Sequence, residues 1–584
     1  MSQTSAPPPG GRPPRPRAPH RSTAAERQAQ ARRAAARSFA ANAEARRAAG
    51  RNPLRNVGPS LAKASGSIAI ATLVSRVTGF LTKIMLASLL SIGLVNDAYN
   101  LADTLPNKIT ELLLAGVLTS VVVPVLVRAQ LEDRDNGLAY AQRLMSMTVV
   151  WMGAGAVLGT IAAPLLTHIY VSAGKPELVG LVTFFGYLLL PQIFFYALSA
   201  LISAILNANN VFKPTAWAPV LNNAVVLLTG LIYLLVPGSL AHPSTAKLLV
   251  LGIGTTLGIV AQTVVMVPAL RRSGFRWQWR WGIDDRLKAF GQMALWVLGY
   301  VAISQVGLLV VDRLSTAAAK GTVTSYQYSW LLVQMPYGVI GFSLLTAIMP
   351  RMSRKAASGD HDGLVDDLSL ANRLSTVMLG PISGLMTILG PQIGLALFSY
   401  GESDAAKATR LGLTLTVSAF GLLPYAITLV QSRVFYAMAD AKTPTLIMGV
   451  MVVVKIPLSY LCPVLLNPEH VVYGLAFVNS LSFVIGALAG QYWLRRRIGR
   501  LGNARVLLTI GKTLIASVWG AAATLIVIKL LHAVGPDARV ALAWPALILG
   551  ALVGGAVTVG AMTLLRVDEL KPALSRITRA MNRR

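Results

Sequence analysis

The sequence predicts an all-α fold: a polytopic membrane protein of about fourteen transmembrane helices, in two six-helix lobes forming a pseudo-twofold repeat, with two extra helices at the C-terminus. Three observations carry that expectation. Of 584 residues, 54% are hydrophobic and only 13% charged, whereas soluble domains carry roughly 25% charged residues. Runs of about 20 mainly apolar residues, each able to cross a hydrocarbon core of about 30 Å, recur from Leu61 almost to the C-terminus. Motifs also repeat in order at an offset of about 230 residues.

Residues 1–60 are expected to be a disordered, basic, cytoplasmic tail. Residues 1–22 are rich in Pro, Gly and Arg, and Thr23 to Glu26 form a T-x-x-E capping box opening an Ala/Arg-rich stretch expected to be helical to about Ala49. Twelve arginines face two glutamates before residue 60. The tail is either a solvated topology signal or an arm that meets anionic headgroups or a partner. It is polar, and the apolar run after it is too long for an h-region, so no cleavable signal peptide is expected.

Apolar segments are expected over 65–91, 98–127, 142–168, 178–207, 214–236, 247–270, 287–312, 323–350, 370–399, 409–438, 443–465, 470–494, 504–531 and 540–565. The first six make an N-lobe (61–271), the next six a C-lobe (287–497), and the last two occupy 504–565 before a basic tail (566–584). An even number of crossings leaves both termini on one side. That side collects most loop cations, including Arg271, Arg272, Arg276, Arg280, Arg351, Arg354, Lys355, Arg495, Arg496 and Arg497, so both termini are expected to be cytoplasmic. The net charge of +30 thus reflects topology, and no nucleic-acid partner is expected. The single Cys462 lies in an apolar run and leaves no intrachain disulfide to form.

In the repeat, Ser75-Arg76-Val77 recurs as Ser304-Gln305-Val306. Pro106, Leu118-Thr119 and Pro124 recur as Pro336, Leu345-Thr346 and Pro350. Leu189-Leu190-Pro191 leading to Lys213-Pro214-Thr215 recurs as Leu422-Leu423-Pro424 leading to Lys442-Thr443-Pro444-Thr445. Six is even, so the lobes share an orientation, with an axis along the membrane normal and a substrate cavity between them.

An ionisable side chain deep in a membrane helix is costly and marks a functional site by default. Arg76 lies fifteen residues from both Leu61 and Ser91, about 22 Å from either end and beyond snorkelling reach. It is expected to meet an anion. Lys83 returns to within about 20° of the same face, making a cationic stripe, or else pairs with Asp97. Gly79 between them leaves room for a bulky anionic group or a kink. Lys108 and Glu111, three apart, either satisfy each other or face the cavity. Asp312-Arg313 is a boundary anchor or a cavity charge. Lys455, near mid-membrane, caps the carbonyl freed by Pro457 or faces the cavity. Arg373, Arg433 and Lys512 are placed as anchors. Because Arg76 is matched by neutral Gln305, the cavity is expected to be positive on one half only, which suits a long amphiphile with an anionic headgroup.

No H-E-x-x-H, G-x-S-x-G or Cys/His cluster is present, and the six histidines stand singly, so neither a metal site nor an enzyme activity is expected. Gly511-Lys512-Thr513 ends like a phosphate loop, but Val506 takes the first glycine position in an apolar segment. With no cofactor expected, energy has to come from an ion gradient (Na+ or H+), the membrane potential, or consumption of the product. Gly254 with Gly258, and Gly550 with Gly554, fit small-xxx-small packing within the chain rather than dimerisation.

Ser75-Arg76-Val77-Thr78-Gly79-Phe80, Asp97-Ala98-Tyr99, Leu105-Pro106-Asn107, Ile205-Leu206-Asn207, Ala218-Pro219 with Asn222-Asn223, and Arg433-Val434-Phe435-Tyr436-Ala437 running to Asp440-Ala441-Lys442-Thr443-Pro444 resemble the MurJ (MviN) lipid II flippases. The resemblance runs from about Leu61 to Arg497, and the basic tail with Glu111-Leu112-Leu113-Leu114 resembles the branch from high-GC Gram-positive bacteria. It implies the multidrug/oligosaccharidyl-lipid/polysaccharide exporter fold, with residues 504–565 forming a groove for the lipid tail. It also implies a bacterial plasma-membrane location and flipping of lipid II, the undecaprenyl-pyrophosphate-linked disaccharide-peptide, by alternating access.

Cavity arginines handle the pyrophosphate in that family. Arg76 matches the first of them and Asp97 the acidic residue after it, but the others fall at Thr82, Thr110 and Leu331. Lys83, Lys108 and Arg313 are the expected substitutes, with Gln305 opposite Arg76. The resemblance implies sodium coupling in the second lobe of some members, and Asp312 lies near that region although the ligand set does not transfer; Asp312, Glu111 and Lys455 are the ion or gating candidates. The expected partners are lipid II and membrane lipids, with cell-wall synthesis or division proteins recruited through the cytoplasmic tails as a further reading. Two rivals remain open: a flippase for another polyprenyl-pyrophosphate-linked oligosaccharide, and a non-transporting scaffold for cell-wall enzymes.

Overall fold

The computed structural model describes residues 59–110, 126, 129–130, 133, 135–209, 211–240, 243–282, 291–401, 403–438, 440–534 and 540–570. The expected tail helix, the residues before 59 and Glu111 lie outside them. Contacts divide the chain after Ser67, and Ile68–Arg584 is the unit that holds the sites below.

Every element among the described residues is helical. The N-lobe contains α1 (Pro59–Leu90), α2 (Leu94–Thr110), α3 (Leu138–Ile161), α4 (Ala163–Tyr170), α5 (Pro176–Leu189), α6 (Gln192–Ala208), α7 (Lys213–Leu235), α8 (Thr245–Val264) and α9 (Val267–Arg272). The C-lobe follows with α10 (Gly291–Ala317), α11 (Thr322–Pro336), a π turn (Tyr337–Gly341), α12 (Phe342–Ser358), α13 (His361–Phe398), α14 (Ala405–Ala419), α15 (Leu422–Ala437), α16 (Lys442–Leu465) and α17 (Val471–Ile498). Last come α18 (Asn503–Val534), α19 (Ala543–Leu564) and a 3-10 turn (Asp568–Leu570).

Ten stretches are long and apolar enough to span a membrane, and two bent pairs bring the number to twelve. Of the remaining expected segments, the second leaves α2 into residues outside those described, and the eighth is α11 and α12 joined by the π turn. The breaks inside expected segments fall beside Pro164, Pro191, Pro268, Pro336 and Pro424. A proline lacks the N–H its helix needs and crowds the preceding turn. Pro191 and Pro424, equivalent in the repeat, sit at bends of 41° between α5 and α6 and 49° between α14 and α15. The duplication is therefore structural as well as textual.

Where helices begin in polar loops, side chains cap them: Asp360 accepts from the Gly363 N–H and Asp404 from the Lys407 N–H, both at 2.8 Å. Small residues then let helices close on one another. A Cβ on Gly254 would overlap Thr229, and one on Gly258 would overlap Asn222, so this pair of glycines seats α8 on α7. Gly554 meets Thr524, Leu385 and the Gly520 carbonyl, seating α19 on α18 and α13. Apolar side chains that find no such partner point outward, Leu235 being 83% and Val464 77% exposed, as a lipid-facing surface requires.

Cations gather where α9, α12, α17 and α19 end and α18 begins: Arg271, Arg272, Arg351, Arg354, Lys355, Arg495, Arg496, Arg497, Arg505 and Arg566. They mark the basic end of the chain's helices.

Candidate functional site

At the end opposite the basic one, α2 of the N-lobe lies against α11 of the C-lobe along a polar seam. Gly321, the residue before α11, has φ +83° and offers no side chain to cap the helix. A Cβ there would come within 2.7 Å of the Ile92 carbonyl, so the approach needs glycine. Asp97 of α2 supplies the missing cap from the other lobe. Its carboxylate, 4% exposed, accepts from the Gly321 N–H at 2.7 Å, the Thr324 N–H at 2.8 Å and the Thr324 hydroxyl at 2.7 Å. Unpaired N–H groups and the positive helix end both favour an anion there.

Around this contact Asn100 Nδ2 donates to Asn96 Oδ1 at 2.7 Å, the Tyr328 hydroxyl donates to Asn96 Oδ1 at 3.3 Å, and Gln327 Nε2 reaches Thr104 Oγ1 at 3.4 Å. Asn96, Asn100 and Thr104 are four apart and line one face of α2. Arg410 of α14 braces the same corner, with Nη1 on the Lys320 carbonyl at 3.0 Å and Nη2 on the Thr322 hydroxyl at 2.8 Å.

A second set of bonds closes the same end between α4–α5 and α10. The Ser172 hydroxyl donates to the Arg313 carbonyl at 2.7 Å, the Ser172 N–H to Thr316 Oγ1 at 3.1 Å, and Arg313 Nη1 to the Ile169 carbonyl at 3.0 Å. Lys320 and Glu177 pair at 3.6 Å, and Lys407 Nζ donates to Ser91 Oγ at 3.0 Å. All these inter-lobe bonds lie at this latched end.

Several expected positions change meaning as a result. Asp97, matched by the resemblance to a substrate-site acid, and Arg313, expected as a boundary anchor or a cavity charge, are engaged in latching the lobes. Asp97 does so because a buried helix end needs its charge, and Arg313 because it sits where α10 meets α4. Lys83 pairs with Asp103 at 3.5 Å, not with Asp97, and its ammonium lies 6.0 Å above the Tyr99 ring. Gly79 does not open space for an anion: Asn223 of α7 fills it, donating to the Ser75 carbonyl at 2.8 Å and to Thr78 Oγ1 at 2.9 Å. Thr82, standing where the resemblance calls for an arginine, is buried and bonds the Thr78 carbonyl at 3.0 Å. Lys108 lies on α2, and Glu111 outside the described residues.

Arg76 keeps the place its depth predicts. Its guanidinium crosses to the C-lobe and packs on Gly338 of the π turn, where a Cβ would overlap it, with Tyr425 within electrostatic range. Among the described residues it has no hydrogen-bonding or ionic partner. Gln305 is half-buried on α10 beside Ser304 and Leu308. Those two neighbours line a cavity of about 240 Å³ inside the C-lobe, with Tyr326, Trp330, Tyr425 and Asn479. Lys455 faces this cavity, 7% exposed, and donates to Asn479 Oδ1 at 2.8 Å. The buried Asp312 lies one turn beyond Leu308 and acts electrostatically on Tyr326.

Asn96, Asn100, Tyr328 and Arg410 were not singled out by the sequence. The signal available was the four-residue spacing of Asn96, Asn100 and Thr104, which puts three polar side chains on one face of α2. Among the described residues no group of three His, Cys, Asp or Glu could hold a metal ion.

A lobe pair latched at one end, with an unpaired cation between the lobes, is the architecture of a carrier. The probable lipid II flippase MurJ of Vibrio cholerae is 27% identical over 403 residues, covering 66% of this chain and 75% of its own length. The lipid II flippase MurJ of Burkholderia cenocepacia is 24% identical over 454 residues, covering 75% and 86%. A solved lipid II flippase MurJ in an inward closed conformation superposes with a TM-score of 0.68 at 18% identity, over 86% of this chain and 99% of that one. The family model described as lipid II flippase MurJ matches residues 86–538, and the chain therefore belongs to the lipid II flippase MurJ family.

Proposed function

We propose that this chain moves lipid II from the cytoplasmic to the outer leaflet of the plasma membrane by alternating access, with its basic end and both termini cytoplasmic. The observation that carries this reading is Arg76: a guanidinium far from either end of α1, placed between the lobes and unpartnered, is a docking point for a pyrophosphate. The latch supplies the second half of the cycle. While Asp97 caps α11, the far end is shut and the headgroup enters from the basic end. Release of Asp97 lets the lobes part on the outer side. Lys83 rests on Asp103 until a more highly charged phosphate competes for it. Coupling is assigned to the second lobe, where Asp312 of α10 and Lys455 of α16 are buried, with Na+, H+ or the membrane potential as the source.

The test measures lipid II binding and membrane abundance of Arg76 variants together. Lysine offers a point charge where arginine offers two parallel hydrogen bonds, so Arg76→Lys should be impaired and Arg76→Ala null. Loss of a charged hydrogen bond costs on the order of 1.5–3 kcal/mol, about ten- to a hundred-fold in affinity. Normal abundance with unchanged binding would sink the assignment. A cell depleted of this protein should accumulate lipid II inside, and accumulation of a different polyprenyl pyrophosphate would replace the substrate while keeping the chemistry.

A further inference from the structure

Away from the lobe interface, α13, α18 and α19 converge at the basic end on a second charged cleft. After α19 the chain turns through Arg566, whose φ of +50° is left-handed and disfavoured for any residue with a Cβ. Lys512 of α18 fixes the turn by donating to the Arg566 carbonyl at 3.2 Å. Val567, 4% exposed, packs with Val377, Ala516 and Met562, and the 3-10 turn delivers Glu569 to Arg373 of α13. That ion pair measures 2.5 Å, with the Glu569 side chain 6% exposed. The cleft so formed holds about 270 Å³ and is lined by Arg373, Arg505, Lys512, Arg566, Asp568 and Glu569.

Four cations thus face two carboxylates, and Glu569 is already committed to Arg373. The Nε of Arg373 is buried without a hydrogen-bond partner. Among the described residues the Arg505 and Arg566 guanidinium groups have none either. Membrane anchors spread their charges outward one by one, whereas these converge on a single concavity whose turn is pinned by an ion pair, a carbonyl bond and a buried valine. The rim is apolar: Leu508, 60% exposed, also lines the cleft, and exposed Leu514, Ile515 and Val518 continue along α18.

We propose that this cleft binds the phosphate of an anionic phosphodiester lipid, its acyl chain lying along α18. Guanidinium forks match phosphate oxygens in pairs, and basic pockets between membrane helices suit lipid headgroups. The occupant belongs to the leaflet at the basic end and does not depend on what the lobes transport.

The experiment uses the purified full chain in nanodiscs of phosphatidylglycerol or phosphatidylcholine, with lipid retention after detergent extraction read by native mass spectrometry. Phosphatidylglycerol should be retained and should raise the melting temperature relative to phosphatidylcholine. The Arg505→Gln/Arg566→Gln variant, altered at two exposed positions, should lose that difference, with retention falling at least ten-fold. If the double variant melts early without lipid, Arg505→Gln alone carries the comparison. Equal retention by wild type and variant overturns the proposal. So does displacement of the lipid by inorganic phosphate at equal concentration, which would mark a site for a free anion.

Discussion

Asp97 does between two lobes what an N-cap residue does within one helix, and its carboxylate is buried in the latch. An asparagine there keeps an acceptor oxygen but loses the negative charge that the end of α11 favours. Asp97→Asn should lower the ratio of latched to unlatched molecules about ten-fold, the equivalent of roughly 1.4 kcal/mol. Cysteines placed at Ser172 and Thr316, whose N–H and hydroxyl are 3.1 Å apart, report the latched state by disulfide yield in a Cys462→Ser background. An unchanged yield would show that Asp97 does not hold the lobes together. The position of Arg76 was legible because depth follows from counting residues along a helix. The partners of Asp97 were not, because they lie 224 and 227 residues away and no local pattern announces them. Lys83 shows the same limit, since helical geometry gave its face but not which of two nearby aspartates it would meet.

Among elements, the repeat was readable and its mechanical content was not. Matching Leu-Leu-Pro motifs predicted equivalent helices, and the structure adds that both bend, at 41° and 49°. The π turn at Tyr337–Gly341 had no separate sequence signal beyond Pro336, so the eighth segment was expected to be continuous. Glycine pairs were legible as packing devices, and the structure identifies their partners. Gly554 and Gly555 make a controlled comparison on one helix: a Cβ on Gly554 would run into Thr524 and Leu385, while one on Gly555 has nothing within 4 Å. Overpacking of this kind costs about 1–3 kcal/mol. Gly554→Val should therefore lower the melting temperature of the detergent-purified protein at every protein concentration, with Gly555→Val close to wild type. A loss that appeared only on dilution would mean that the glycines join two copies rather than α19 to α18.

For the whole molecule, orientation decides whether the latch faces outward or inward, and the charge distribution gives a physical reason to choose. Arg271, Arg351 and Arg495 come from three different helices and Arg566 from the turn after a fourth, yet all fall at one end. Cations near helix ends are retained on the cytoplasmic side during insertion, so the basic end should be inside and the Asp97 latch outside. Two exposed alanines test this: Ala357 near the end of α12, and Ala406 at the start of α14. Ala406 is preferable to neighbouring Gly401, which has φ +62° and lies against the Ser88 carbonyl, leaving no room for a side chain. In a variant whose buried Cys462 is replaced by serine, a cysteine at Ala406 should react with an impermeant thiol reagent added to intact cells. One at Ala357 should react only after the membrane is opened. The reverse pattern would put Asp97 on the cytoplasmic side, so that the latched end became the entrance for substrate and Arg76 had to be reached from the opposite direction.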